Sequence, residues 1–262
     1  MRALFKICAT AAIGAVFNPA YAADWSDTEL QLLHGSKFHE TSNAVDVVKS
    51  ILTLNHASAY KYGRNNFFVD ILKSNGSDNN SGEVYSEFYT TLSMAKLGGL
   101  DWSQHGVKDI GATAGINFGS KSDSFGANRR VLLLGPTIDF DVPGFLFLNV
   151  SLLAYRDSST SVTAGHLCGS KKTTLQVTPT WSLPFSIGDA KFSFEGYADY
   201  IAKHGTCAKQ ALAQPQLRWD IGHHLGKPGT VFVGIEYQYW KNKYGDRTIQ
   251  EHFPQLLLVW KL

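Results

Sequence analysis

Carboxylates and aromatic rings recur at every second position in Tyr85-x-Glu87-x-Tyr89, Ser193-x-Glu195-x-Tyr197-x-Asp199 and Glu236-x-Gln238-x-Trp240. Phe68-x-Asp70, Arg218-x-Asp220, Thr137-x-Asp139-x-Asp141, Asn149-x-Ser151 and Gln176-x-Thr178-x-Thr180 repeat the spacing with other polar residues. Side chains so spaced in a strand share one face. Two kinds of chemistry fit such a face. Rings can stack on a flat polar solute while acceptors and donors take its exocyclic groups and sugar hydroxyls. Alternatively, acidic and basic groups pair with one another and fill a narrow interior, because buried charges need partners.

The alternate positions say where that face must lie. In Thr230–Trp240, Val231, Val233, Ile235, Tyr237 and Tyr239 form one apolar row, while Glu236, Gln238 and Trp240 fall on the other. Likewise Phe192, Phe194, Ala198 and Tyr200 oppose the polar row of their segment. That is a wall between lipid and water, and segments of about ten alternating residues divided by turns are the signature of an outer-membrane barrel. Twelve strands are expected: 28–34, 51–62, 66–74, 84–94, 108–119, 130–141, 145–156, 173–183, 191–201, 216–225, 230–240 and 253–262. The fold class is therefore all-β, a transmembrane antiparallel β-barrel of about 12 strands. Short turns such as Val142-Pro143-Gly144 and Gly226–Gly229 alternate with longer links at 35–50, 75–83, 120–129, 157–172, 202–215 and 241–252. The long link from Ala95 to Val107 breaks this rule, and a helix or a lost strand is the expected reason. In 35–50, Val45, Val47 and Val48 allow a helical turn over the mouth, with a plain surface loop as the preferred alternative. Twelve strands enclose more than an eight-stranded barrel and less than an open porin.

The ends and the composition agree with export. Arg2 and Lys6 precede the apolar run Ile7–Phe17, and Ala20-Tyr21-Ala22 supplies a cleavage pattern, so residues 1–22 read as a signal peptide and 23–262 as the barrel. No apolar run approaches the roughly 20 residues of a membrane helix. The chain has 24 basic and 22 acidic side chains, and Arg2 and Lys6 leave with the signal, so the remainder balances. A balanced chain without a basic stripe is no nucleic-acid binder. Beyond the signal only Cys168 and Cys207 remain, both in polar segments on the long-link side of neighbouring hairpins. In an oxidising compartment these two are expected to form a disulfide.

An enzyme, for instance an outer-membrane lipid hydrolase, is the less favoured alternative, because no nucleophile-elbow pattern occurs and His223-His224 lies at a short turn. His166 and His204 flank the cysteines, but no metal site is expected there, and no cofactor. A structural, adhesin-type or phage-receptor barrel with a plugged lumen is the other alternative, since it would use only the outer loops.

Several blocks in one order resemble the nucleoside-specific channel-forming outer-membrane proteins, the Tsx-like family. They are Ala59–Gly63 with Asn66–Asp70, Glu87-Phe88-Tyr89, Leu134–Thr137 with Phe140–Phe145, Ser193–Tyr197 and, most specific, Glu236–Gly245. The resemblance implies a monomeric twelve-stranded barrel, inserted in outer-membrane lipid by the barrel-assembly machinery, through which nucleosides or similar small polar solutes diffuse passively. The lane residues expected are Phe68, Asp70, Tyr85, Glu87, Tyr89, Asp139, Glu195, Tyr197, Asp199, Arg218, Glu236, Gln238 and Trp240. Chains of that pattern end in an aromatic residue, whereas this one ends Trp260-Lys261-Leu262, with Leu256, Leu258, Trp260 and Leu262 still alternating.

Overall fold

A computed structural model describes residues 23–41, 43–99 and 106–262, and the expected signal peptide lies outside them. The strands are β1 (Trp25–Phe38), β2 (Val47–Tyr60), β3 (Gly63–Ser74), β4 (Gly82–Ser93), β5 (Val107–Lys121), β6 (Ala127–Phe140) and β7 (Phe147–Asp157). A small ribbon, β8 (Thr160–Ser161) and β9 (Gly165–His166), precedes β10 (Thr173–Ile187) and β11 (Ala190–Ile201). The last are β12 (Gln210–Ala213), β13 (Gln216–Asp220), β14 (Val231–Lys241) and β15 (Gln250–Lys261).

Every wall strand pairs antiparallel with its neighbours in chain order, β12 and β13 acting as two halves of one stave. Pairing of β1 with β15 and of β5 with β6 closes the sheet into a barrel of twelve staves. Closure leaves no edge of unpaired N–H and C=O groups, the condition for crossing a bilayer without helices. The unbroken staves are 11 to 15 residues long. A tilted strand needs about 9–11 residues to cross hydrocarbon, so each stave is long enough.

The exterior repeats the alternation seen in sequence. Leu32, Leu52, Ile71, Val84, Leu132, Leu134, Ile235, Leu256 and Leu258 are exposed on the outer wall. Phe147, Phe185, Trp219 and Trp260 lie toward the end with the short turns, and Phe118, Tyr200 and Tyr239 toward the end with the long loops. An apolar band with aromatic girdles is what lipid contact requires.

Three local expectations need correction: the bounds of the tenth stave and the lumen-lining places of Asp220 and Asp141. The tenth stave begins at Gln210 and ends at Asp220, not at 216 and 225. It is broken at Gln214-Pro215, opposite Gly196 at φ +146°. A Cβ on Gly196 would lie 2.4 Å from the Gln214 carbonyl oxygen, so this crossing admits only glycine. The stave stops at Asp220 because that side chain caps a helical turn, α2 (Ile221–His224), accepting from the His223 amide at 3.0 Å and the Gly229 amide at 2.8 Å. Asp220 therefore holds a turn instead of lining the lumen. Asp141 lies beyond the end of β6 and is exposed. The long link after β4 starts with a helix, one of the two reasons expected for its length: α1 (Met94–Gly98), capped by Ser93 Oγ accepting from the Lys96 amide at 3.0 Å; residues 100–105 lie outside the described set. β1 and β2 extend over both ends of 35–50, and its described residues hold no helical turn, as the preferred loop reading had it.

Candidate functional site

Strand register decides which side chains share the interior. Phe68 stands opposite Glu87 and Asp70 opposite Tyr85 on β3 and β4. Glu195 faces Gln216, which faces Glu236, across β11, β13 and β14. Tyr89, Tyr197, Asp199, Asp139, Arg218, Gln238 and Trp240 fall on the same inner surface by alternation along their strands. All thirteen expected lane residues thus point inward, but they divide among different environments.

In the middle of the barrel, Tyr85 and Tyr89 both donate their hydroxyls to Glu87, the latter at 2.9 Å, and Asn117 Nδ2 donates to Glu87 at 2.7 Å. The Phe68 ring stands 6.0 Å from that of Tyr85. Thr53 donates to Asp70, and Asp199 accepts from Thr178 and, at 3.1 Å, from Gln176. Tyr197 donates to Gln214, whose amide nitrogen donates in turn to Gln238 at 2.7 Å. Thr91, Thr113, Thr137 and Ser151 form a hydroxyl ladder across four strands. Phe68, Asp70, Tyr85, Tyr89 and Tyr197 are only half-buried, so space remains beside them.

Toward the short turns, charges are paired. Arg218 makes a forked contact with Glu29, Nη1 to Oε2 at 3.0 Å and Nη2 to Oε1 at 2.9 Å, and reaches Glu195 at 3.3 Å. Asp139 is held by Arg64 at 2.7 Å. Arg218 and Asp139 are therefore committed to protein partners.

The long-loop end carries a buried cluster of ion pairs. Glu40, from the loop after β1, folds into the mouth and meets Lys49 at 2.7 Å, Lys121 at 3.0 Å and Lys243 at 3.2 Å. Lys243 also binds Glu251 at 2.6 Å, Lys121 binds Asp78 at 2.9 Å and Asp123 at 3.1 Å, and Lys49 reaches Glu83 at 3.2 Å. Glu40 is 5% exposed, and Lys49 and Lys243 are 2% exposed, so water is excluded from the centre of the cluster. Burial opposes charge on Glu40, but the ammonium groups of Lys243, Lys49 and Lys121 outweigh it and hold the carboxyl well below the usual carboxylate range. Burial similarly opposes charge on Lys243, and Glu251 and Glu40 hold its ammonium above the usual lysine range. Trp240, expected in the lane, lies under this cluster with Tyr244 5.0 Å away, and Gln238 is tied to Glu251 at 2.9 Å.

Beside the mouth, Cys168 and Cys207 form the expected disulfide, with Cα atoms 5.0 Å apart. His204 lies on Tyr155 and 3.5 Å from Asp157, which places it in the packing beneath that bridge.

Sequence reasoning missed Glu29, Glu40, Lys49, Lys121 and Lys243. Glu29 was within reach of parity, since Glu29, Gln31 and Leu33 alternate in β1. Glu40 and Lys243 come from loops, where no period exists to assign a face. The interior is also less polar than expected. Leu33, Phe38, Val47, Ile51, Phe253, Leu257 and Val259 form a buried inner cluster on β1, β2 and β15. Leu256–Trp260 is apolar on both faces, which hides this cluster from an alternation count.

A closed antiparallel barrel with an apolar outer band and a polar interior defines the class: a transmembrane β-barrel. The chain matches no family model, and no curated protein is similar to it in sequence. Its shape is similar to that of the KdgM porin, at 9% identity over 90% of this chain and 99% of that one, TM-score 0.45. It is also similar to the β domain of the Bordetella autotransporter BrkA, at 9% identity over 90% and 98%, TM-score 0.44. A third similarity is to the translocator domain of the autotransporter NalP from Neisseria meningitidis, at 12% identity over 90% and 88%, TM-score 0.40. The class rests on the closed pairing and the outer band, not on these similarities.

Proposed function

We propose that the barrel is an outer-membrane channel for passive entry of small polar solutes, with nucleosides as the solute class to which the Tsx-like resemblance points. In this reading residues 1–22 direct export and the chain works as a monomer. The observation that carries it is the half-buried strip of Phe68, Tyr85, Tyr89 and Tyr197 beside Asp70 and Glu87 in mid-barrel. Rings whose hydroxyls are already bonded to the wall supply stacking faces, and the free acceptor positions between them suit the donors of a base and a sugar. The closed mouth is then a shut state that must open for solute to pass.

The mouth cluster itself favours a second reading, a permanently plugged barrel that serves adhesion or structure through its loops. Planar-bilayer conductance with and without nucleosides separates the two. Under the channel reading, uridine lowers the current, and Tyr85→Ala combined with Tyr89→Ala weakens that block by about tenfold, the loss expected of stacking worth about 1–3 kcal/mol. Block that is unchanged by these substitutions removes the lane from mid-barrel.

A further inference from the structure

Four carboxylates on the inner surface, Asp70, Glu87, Asp199 and Glu236, have no cation in ion-pair contact, and only Arg129 beyond Glu87 and Arg218 beyond Glu236 act on them at longer range. Each sits within the electrostatic reach of the next: Asp199 of Glu87, Glu87 of Asp70, and Asp70 of Glu236. Among the described residues none of them forms a salt bridge, although the barrel holds cations above and below. Arg218 is engaged by Glu29 and Glu195, Arg129 lies 3.9 Å from Asp157, and Lys49, Lys121 and Lys243 are held by the mouth acids. The four have only neutral donors. These are Thr53 for Asp70, the two tyrosines and Asn117 for Glu87, Thr178 and Gln176 for Asp199, and Gln214, Gln216 and Gln255 for Glu236.

A second observation points the same way. Gln255 is 1% exposed and gives its amide nitrogen to Glu236 at 2.9 Å, yet its amide oxygen has no donor. An orphaned acceptor beside unbalanced carboxylates marks a place short of N–H donors and positive charge, since buried polar atoms are nearly always paired. A metal ion does not answer this need, because no group of three acidic, histidine or cysteine side chains among the described residues converges closely enough to hold one. The acids are spread along the lane and interleaved with Phe68, Tyr85, Tyr89 and Tyr197. Ring faces attract organic cations, and rings of carboxylates select for cations in pores.

We infer that the mid-barrel lane binds organic cations, elongated solutes carrying ammonium groups, in preference to neutral or anionic solutes of similar size. The inference rests on reading the lumen as a solute lane and names the class of solute that the lane favours. It assigns Glu87 and Asp199 as the central pair, with Asp70 and Glu236 flanking them.

The test is calorimetric titration of the folded full-length barrel in neutral detergent with spermidine, with uridine and with magnesium chloride. Spermidine is expected to bind saturably and more tightly than uridine. Glu87→Gln combined with Asp199→Asn should weaken it by about tenfold or more, the loss expected for unpairing charged contacts. If that double variant does not fold, Asp70→Asn alone, at a half-buried position, gives the same readout with a smaller loss. Absence of saturable spermidine binding, binding indifferent to these substitutions, or displacement by magnesium at equal charge concentration would each overturn the inference. Conductance reports separately on the channel reading. A conducting, uridine-blocked barrel that ignores spermidine sinks this inference alone, and a spermidine-binding barrel that never conducts sinks the channel alone.

Discussion

Arg218 is the residue on which the lower lumen turns. Its guanidinium forks onto Glu29 and touches Glu195, and both it and Glu29 are buried. Arg218→Met should therefore cost about 3–5 kcal/mol, because Glu29 is left buried with only the long contact to Lys261 at 3.9 Å as counter-charge. Glu29→Gln added to Arg218→Met should restore part of that loss in urea titrations followed by heat-modifiable gel migration. A single variant as stable as the parent would show that water reaches Glu29. Glu40 plays the corresponding part at the mouth, and its pH dependence has a defined sign. Its carboxyl is held below its ordinary value of 4.5, so it contributes stability fully above that value, and the contribution is lost as pH falls toward the folded-state value. Protease resistance of the mouth loops should accordingly be flat from about pH 5 to pH 8 and fall only in stronger acid. A transition near neutrality would place control of the mouth elsewhere.

Staves are legible in sequence wherever one face is continuously apolar, as in Val231–Tyr239, and their turns where Pro and Gly punctuate, as in Val142-Pro143-Gly144. They are illegible where the wall departs from period two. The tenth stave is displaced because Pro215, opposite Gly196, interrupts its alternation, and because Asp220 looks like one more inward acid until its cap on α2 is seen. The disulfide is an element-scale feature that could be placed by counting hairpins, since Cys168 and Cys207 follow strands that run toward the same end. It joins the loop after β7 to the loop after β11, with a sequence separation of 39. Replacing both cysteines by serine should cost about 2–4 kcal/mol locally, in the usual entropic account. The expected outcome is faster proteolysis between 158 and 209 with unchanged heat-modifiable migration. Loss of the folded band would mean that the bridge is needed to close the barrel.

At the scale of the whole molecule, the class of fold was available from alternation, because a one-residue slip would move every apolar side chain into the lumen. The inward positions of the lane residues were available for the same reason. What they do there was not, because function depends on partners that come from loops or from distant strands. Glu40 joins three lysines at the mouth, and nothing in its neighbourhood marks it; Lys243 sits within the Glu236–Gly245 block without any sign that it would face Glu40. As proposed above, the barrel is a channel held shut by the cluster of ion pairs at its mouth. Single-channel recording of Glu40→Gln in planar bilayers tests it most directly, because that change leaves three lysines without their shared carboxylate. The expected result is discrete conductance steps more frequent than those of the parent, and reduced by uridine but not by sucrose. A barrel that stays silent in both forms, while migrating as a folded species, would contradict it and leave the plugged barrel.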